Sequence, residues 1–262
     1  MHLAVPAFVL LIGLALGSFL NVCISRLPQG LSIVRPRSRC PGCLAPISFY
    51  DNIPVLSFIL LRGRCRHCSA GISWRYPAVE LFTGAAALAL FLKWGGQPLW
   101  AAAALAASCL LIAAAVMDLE TMTISDVFSV GLAAVGLLSS PVNPYFSGAV
   151  WERLLSSVGG AVFGAFIVWV MSLLGRKIYG KEAVGEGDIL LLAGIGALTG
   201  WEGAVSALIM ASFFGSLYGL VLMAAKRVKR LDPVPFGPFL SLGALINLYS
   251  LVTVRDFFIS VP

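Results

Sequence analysis

Gly185-Glu186-Gly187-Asp188 runs directly into Ile189-Leu190-Leu191-Leu192-Ala193. The stretch sets a carboxylate where a loop bearing Lys177 and Lys181 meets an apolar helix. An ionisable group at a membrane boundary is costly, which marks it as a candidate functional group. The glycines flanking Glu186 lack Cβ, so another segment can approach the backbone closely there. Asp is also a common helix N-cap, and a lone Asp is accounted for by that role. A functional reading therefore needs a second carboxylate at the same depth.

The rest of the chain reads as membrane protein. Of 262 residues, 59% are hydrophobic and 11% charged, and mean hydropathy is +0.94. A soluble domain carries about 25% charge. The expected fold class is an all-α polytopic membrane protein. Net charge is +6, with the basic residues in loops between apolar runs. That distribution speaks for membrane topology and against a nucleic-acid partner.

Eight apolar runs are candidate spans. They cover Leu3–Ile24, Pro77–Trp94, Leu99–Met117, Val127–Val142, Leu154–Leu174, Ile189–Leu198, Gly203–Ala225 and Pro235–Val254. The first has no basic segment before it and Arg26 after it, so it reads as a first helix with its N-terminus outside, not as a cleaved signal. The sixth run is short enough to be re-entrant. Counting it as spanning keeps Lys226-Arg227-Val228-Lys229-Arg230 inside. Both termini then lie outside, and of 18 basic residues all but Lys93, Arg153 and Arg255 lie inside. Gly13/Gly17, Gly160/Gly164, Gly196/Gly200 and Gly215/Gly219 have the spacing of close helix packing. Asn21 near the inner end of the first span suits a helix–helix hydrogen bond.

Residues 25–75 interrupt the apolar pattern with eight arginines against the single acid Asp51. This is a cytoplasmic insert by charge, and it is too small to hold itself with a core. Cys40-Pro41-Gly42-Cys43 and Cys65-Arg66-His67-Cys68 are two CxxC knuckles 21 residues apart. Four thiolates at that spacing suit tetrahedral zinc in a structural, closed site. A reducing cytoplasm disfavours the alternative of two disulfides. His67 is a competing ligand or a bystander. Cys23 and Cys109 lie within spans and read as small core residues. Glu80, about one turn inside the second span, either faces Arg75 and interfacial water or serves a site. The expected organisation is a first helix over 1–24, the four-Cys insert over 25–76, and a seven-helix membrane domain over 77–262.

In this topology Asp118 ends the third span at the cytoplasmic face and Asp188 opens the sixth at the same face, 70 residues later. Two close carboxylates share a proton more readily than both ionise. The ionised one takes a proton from water while the protonated one hydrogen-bonds a scissile carbonyl, which is aspartyl proteolysis. Alternatively, each caps a helix, or intramembrane acids serve a transporter. Glu120 and Asp126 are rival members of the pair.

Taken together the residues resemble the bacterial type IV prepilin peptidases, a branch of the GxGD aspartyl membrane proteases. The resemblance covers nearly the whole chain. It runs from Gly17-Ser18-Phe19-Leu20-Asn21-Val22 and Arg26-Leu27-Pro28, through Arg35-Pro36 and the Cys pairs with Tyr50-Asp51-Asn52-Ile53-Pro54 and Leu61-Arg62-Gly63. It continues in Trp74-Arg75-Tyr76-Pro77 with Glu80, in Asp118-Leu119 with Ile124 and Asp126, in Gly185, Gly187 and Asp188, and in Pro235-Phe236-Gly237-Pro238-Phe239. Departures are Ser125 where the family often has Pro, Glu120 where it often has Asp, and Leu190 where Lys is frequent.

The resemblance implies an inner-membrane endopeptidase with Asp118 and Asp188 catalytic. Its substrates would be type IV prepilins and type II secretion pseudopilins, cut between a short basic leader and a hydrophobic helix. It also implies that members with the four-Cys insert methylate the new N-terminus from S-adenosylmethionine. Asp51, Arg62, Arg75 and Glu80 are candidates for that second site. No glycine-rich methyltransferase motif accompanies them.

Overall fold

The computed structural model describes residues 4–179, 185–229 and 232–250. Lys181, Arg230, Arg255 and the end of the expected last span lie outside the described residues. Those that are described form helices joined by turns, with only isolated bridges in place of strands. The main helices are α1 (Ala4–Arg26), α2 (Leu56–Leu60), α3 (Arg75–Trp94), α4 (Pro98–Thr121), α5 (Asp126–Ser139), α6 (Val150–Tyr179), α7 (Glu186–Ala224) and α8 (Gly237–Ser250). Five are long and apolar enough to cross a membrane: α1, α3, α4, α6 and α7. The chain is an all-helical, multi-pass membrane protein.

It divides into two compact units, one ending at Gly96 and one beginning at Gln97. In the first, α1 packs against α3, so α3 goes with α1 although the sequence suggested grouping it with the later helices. The absence of side chains at Gly13 and Gly17 makes this possible. A Cβ at Gly13 would stand 2.7 Å from Ala87 Cβ, and one at Gly17 would stand 2.7 Å from Glu80 Cα. Asn21 Nδ2 donates across to the Tyr76 carbonyl at 3.1 Å, the helix–helix bond expected of it.

In the second unit α7 is the axis on which α5, α6 and α8 pack. It is broken at Gly200, whose φ of 72° and ψ of −178° are open to glycine and costly for other residues. The carbonyls freed at the break are taken by side chains. Asn143 Nδ2 donates to Leu198 O at 2.7 Å, and Ser157 Oγ donates to Ala197 O at 2.6 Å. On α8, Asn247 binds Gly203 O at 2.9 Å, Gly243 lies against Ala207, and Phe239 lies beside Gly215. The order is inverted, so residues 201–224 run antiparallel to α8. Residues 186–199 begin at Ile124, beside the start of α8. The chain therefore reverses at Gly200. Cys23 and Cys109 are buried in helices, as expected.

Candidate active site and metal centre

Asp118 stands in the last turn of α4 and Asp188 in the first turn of α7, with exposures of 6% and 7%. Helix α4 stops just beyond Asp118, where Met122 turns left-handed (φ 54°) and donates its N–H to Asp118 O at 2.9 Å. Asp118 Oδ2 accepts the Gly237 N–H at 3.0 Å. Asp188 Oδ2 accepts the Gly185 N–H at 3.2 Å, so it does cap α7. Its other oxygen, Oδ1, is buried without a hydrogen-bond partner. The cap thus uses one oxygen and leaves the second for something else.

Ile124 is the packing centre of the site. A Cβ at Gly187 would stand 3.1 Å from Ile124 Cβ, and one at Gly237 would stand 2.7 Å from Ile124 Cδ1 and 2.9 Å from Asp118 Oδ2. The close backbone approach expected of the GxGD stretch therefore occurs at Gly187. At Gly185 an added Cβ would meet Asp188 Oδ2 at an ordinary 3.5 Å. Asp118 and Asp188 are both buried, whereas the rivals Glu120 and Asp126 are exposed. The sequence does not mark the Gly237 amide as part of the site. Its signal there is the Pro235-Phe236-Gly237-Pro238-Phe239 stretch of the resemblance, in which Pro235 keeps the chain extended before a helix.

Cys40, Cys43, Cys65 and Cys68 form one cluster, with all four sulfurs within 4.8 Å of one another. The two knuckles repeat one geometry. Cys40 N–H donates to Ala45 O at 2.9 Å and Cys65 N–H to Ala70 O at 2.8 Å. The residue after each second cysteine is left-handed, Leu44 and Ser69 both at φ 59°. Cys40 Sγ and Cys68 Sγ are 3.8 Å apart. Tetrahedral zinc with bonds of about 2.3 Å requires sulfurs about 3.8 Å apart, so the donor set fits. The Cys43 and Gly42 N–H groups pull the Cys40 thiol down to about 6. Cys68 is pulled down by the Ala70 N–H, but burial and the neighbouring thiols outweigh that and push it up to about 11.

The four residues suggested for methyl transfer have separate local roles. Asp51 takes a bidentate pair from Arg66, with Nη2–Oδ1 at 2.6 Å and Nε–Oδ2 at 2.9 Å. That guanidinium holds the Asp51 carboxyl below its usual range. Arg75 donates to Ser25 Oγ at 2.9 Å and stacks on Tyr76. Glu80, buried in α3, accepts the Val55 N–H at 2.7 Å and a bond from Ser18. Arg62 is exposed and lines a pocket of about 540 Å³ with Arg64 and Arg66.

The chain carries two family signatures. Residues 11–94 match the Bacterial Peptidase A24 N-terminal domain and residues 104–220 match the Type IV leader peptidase family. The prepilin leader peptidase/N-methyltransferase of Burkholderia pseudomallei (strain K96243) is 35% identical over 93% of this chain and 84% of its own length. That of Aeromonas hydrophila is 35% identical over 92% and 89%. The Escherichia coli O78:H11 type 4 prepilin-like proteins leader peptide-processing enzyme is 35% identical over 94% of both chains. No solved structure gives a significant match. These signatures, on an all-helical multi-pass chain, define a membrane-embedded protease. The chain belongs to the type IV leader peptidase family.

Proposed function

We propose that this chain is a prepilin leader peptidase whose catalytic pair is Asp118 and Asp188. The observation that carries the residue assignment is the burial of both acids around Ile124, one fixed by an amide and the other with an uncommitted oxygen. Asp118, oriented by the Gly237 N–H, and Asp188 through Oδ1 would hold the attacking water and the scissile carbonyl between them. The ionised carboxylate accepts the proton from water as it attacks. The protonated one donates to the carbonyl oxygen and then helps protonate the leaving amine. No covalent intermediate is needed.

The substrates in this reading are type IV prepilins and type II secretion pseudopilins, cut at the inner face of the bacterial inner membrane. Eight spans with both termini periplasmic give that face to Asp118 and Asp188. The break at Gly200 supports counting residues 186–199 and 201–224 separately. Zinc bound by Cys40, Cys43, Cys65 and Cys68 would staple the insert without taking part in the cleavage.

The relatives' names carry a second activity, N-methyltransferase, and it is extended to this chain as methylation of the new N-terminus. S-adenosylmethionine would supply the methyl group. Its sulfonium and ammonium are cationic and its carboxylate is anionic, so acidic and arginine side chains each match one end of it. Asp51, Arg62, Arg75 and Glu80 are assigned to this role by the family resemblance.

Mass spectrometry of a co-expressed prepilin tests the reading, with wild type and with Asp118→Asn or Asp188→Asn. A leaderless, singly methylated product that disappears in either variant is expected. Cleavage without methylation would retain the peptidase alone. Near-wild-type cleavage by a variant would remove the dyad. An intact leader with folded wild-type protein would favour the transporter alternative.

A further inference from the structure

Helix α2 has no apolar partner for much of its surface. Ile59 and Leu60 are 63% and 71% exposed, and Leu56 and Ile53 are also exposed. Trp74, just before α3, is 75% exposed although its ring touches Phe58 of α2, with centroids 4.7 Å apart. Such a patch on an isolated soluble module would invite aggregation.

The position of the patch explains its exposure. The buried Glu80 carboxylate grips the Val55 N–H, immediately before α2. Glu80 is five residues past Arg75, the start of α3, hence about 7.5 Å along a helix that rises 1.5 Å per residue. Val55 is held at a positive φ of 61°, where a β-branched residue rests uneasily. The tie therefore draws α2 against the first turns of a membrane-crossing helix, at the level of lipid headgroups. Trp at that level is typical of membrane interfaces.

Charge supplies the rest. On the far side of α2 the chain turns into Arg62 and Arg64, which line the pocket of about 540 Å³ beside Leu60 and Leu61. Arg66 is neutralised by Asp51, the only acid of the insert. Arg62 and Arg64 have no acid to pair with inside the insert. Guanidinium forks match phosphate oxygens. Apolar walls beside them suit the glycerol end of a phospholipid. A basic leader peptide would be repelled by the same surface.

We propose that residues 53–64, with Trp74, are an interfacial foot that docks on anionic phospholipid, the apolar side chains entering the headgroup boundary and Arg62 and Arg64 holding a lipid phosphate. The foot goes beyond leader cleavage and does not depend on it. It makes the zinc module a peripheral membrane anchor pinned from one side by α1 and α3 and from the other by lipid.

The test places the full-length, zinc-loaded protein in nanodiscs of phosphatidylcholine, with or without phosphatidylglycerol. Amide exchange is followed from Leu56 to Arg66. Slower exchange with phosphatidylglycerol, reversed by salt, is expected. Arg64→Gln should lose roughly fivefold of that gain, as one arginine at an anionic surface provides. Arg64→Lys should keep most of it. Zinc content and exchange in α3 verify that each variant is folded. Equal exchange in the two lipids would overturn the proposal. So would slowing in phosphatidylcholine by inorganic phosphate alone, or slowing only on adding a prepilin leader peptide.

Discussion

Gly237 and Asp118 lie 119 residues apart and are joined by one hydrogen bond, the Gly237 N–H to Asp118 Oδ2 at 3.0 Å. The bond lets the start of α8 set the direction of a carboxylate at the end of α4. It also leaves no room, because a methyl group at Gly237 would press on both Ile124 and Asp118.

Gly237→Ala should therefore lower kcat for leader cleavage by about a hundredfold, the cost of misplacing a reacting group by around an ångström. KM and the amount of inserted protein should change little. Single-turnover cleavage in detergent reads this directly. An unchanged rate would show that the amide does not orient Asp118.

Gly200→Ala should destabilise the second unit by roughly 1–3 kcal/mol, because Ala strains at this backbone conformation. The substitution also brings a Cβ to 3.1 Å from Phe146 Cε1. Thermal unfolding in detergent should shift down, with the first unit's zinc content unaffected.

Asn143 is fully buried and holds the Leu198 carbonyl at the same break. Asn143→Ala leaves that acceptor without its donor and should cost roughly 1–3 kcal/mol. Asn143→Asp should be worse than Ala, since a carboxylate repels the carbonyl it replaces the donor for. Equal unfolding temperatures for all three proteins would rule out this bond as a stabiliser of the break.

Cys40→Ser with Cys43→Ser should abolish bound zinc and open residues 30–72 to protease, because metal binding and folding of such a module are coupled. The wild-type site should also be pH-sensitive in a set direction. Zinc needs thiolates, so affinity falls as pH falls. Cys68, pushed up to about 11 without metal, gives up a proton on loading at neutral pH. Cys40, pulled down to about 6, adds a further loss only below that pH. Zinc retention against a chelator between pH 5 and 8 should steepen below about 6, the region where thiolates are also metal-competent only if their pKa is depressed.

Residues whose partners are near in sequence, or whose type dictates chemistry, were the legible ones. The CxxC spacing announced the thiol cluster because only a few chemistries use four cysteines. Small residues at Gly13, Gly17, Gly160 and Gly164 announced helix contacts because they leave a groove. Asp118 and Asp188 could be brought to one depth by counting apolar runs. Counting gives depth but not azimuth, so it could not choose between Asp118, Glu120 and Asp126. Burial separates them. The Gly237 amide was hidden because every residue but proline carries the same donor. Glu80 was ambiguous for a similar reason, since its partner is the backbone of Val55, which no side-chain pattern reveals. The grouping of α3 with α1 rests on packing that sequence order obscures.

The reversal at Gly200 also fixes a length. Helix α5 has 14 residues, and the half of α7 that carries Asp188 and packs beside it ends at the break. At 1.5 Å per residue each is about 21 Å long, against a hydrocarbon layer of about 30 Å. In the eight-span reading proposed above, lipid beside helices this short would thin, or water would enter from their ends. A hydrolase sunk in a membrane consumes water at every turnover, and two short helices would give it a wet dimple from which to draw.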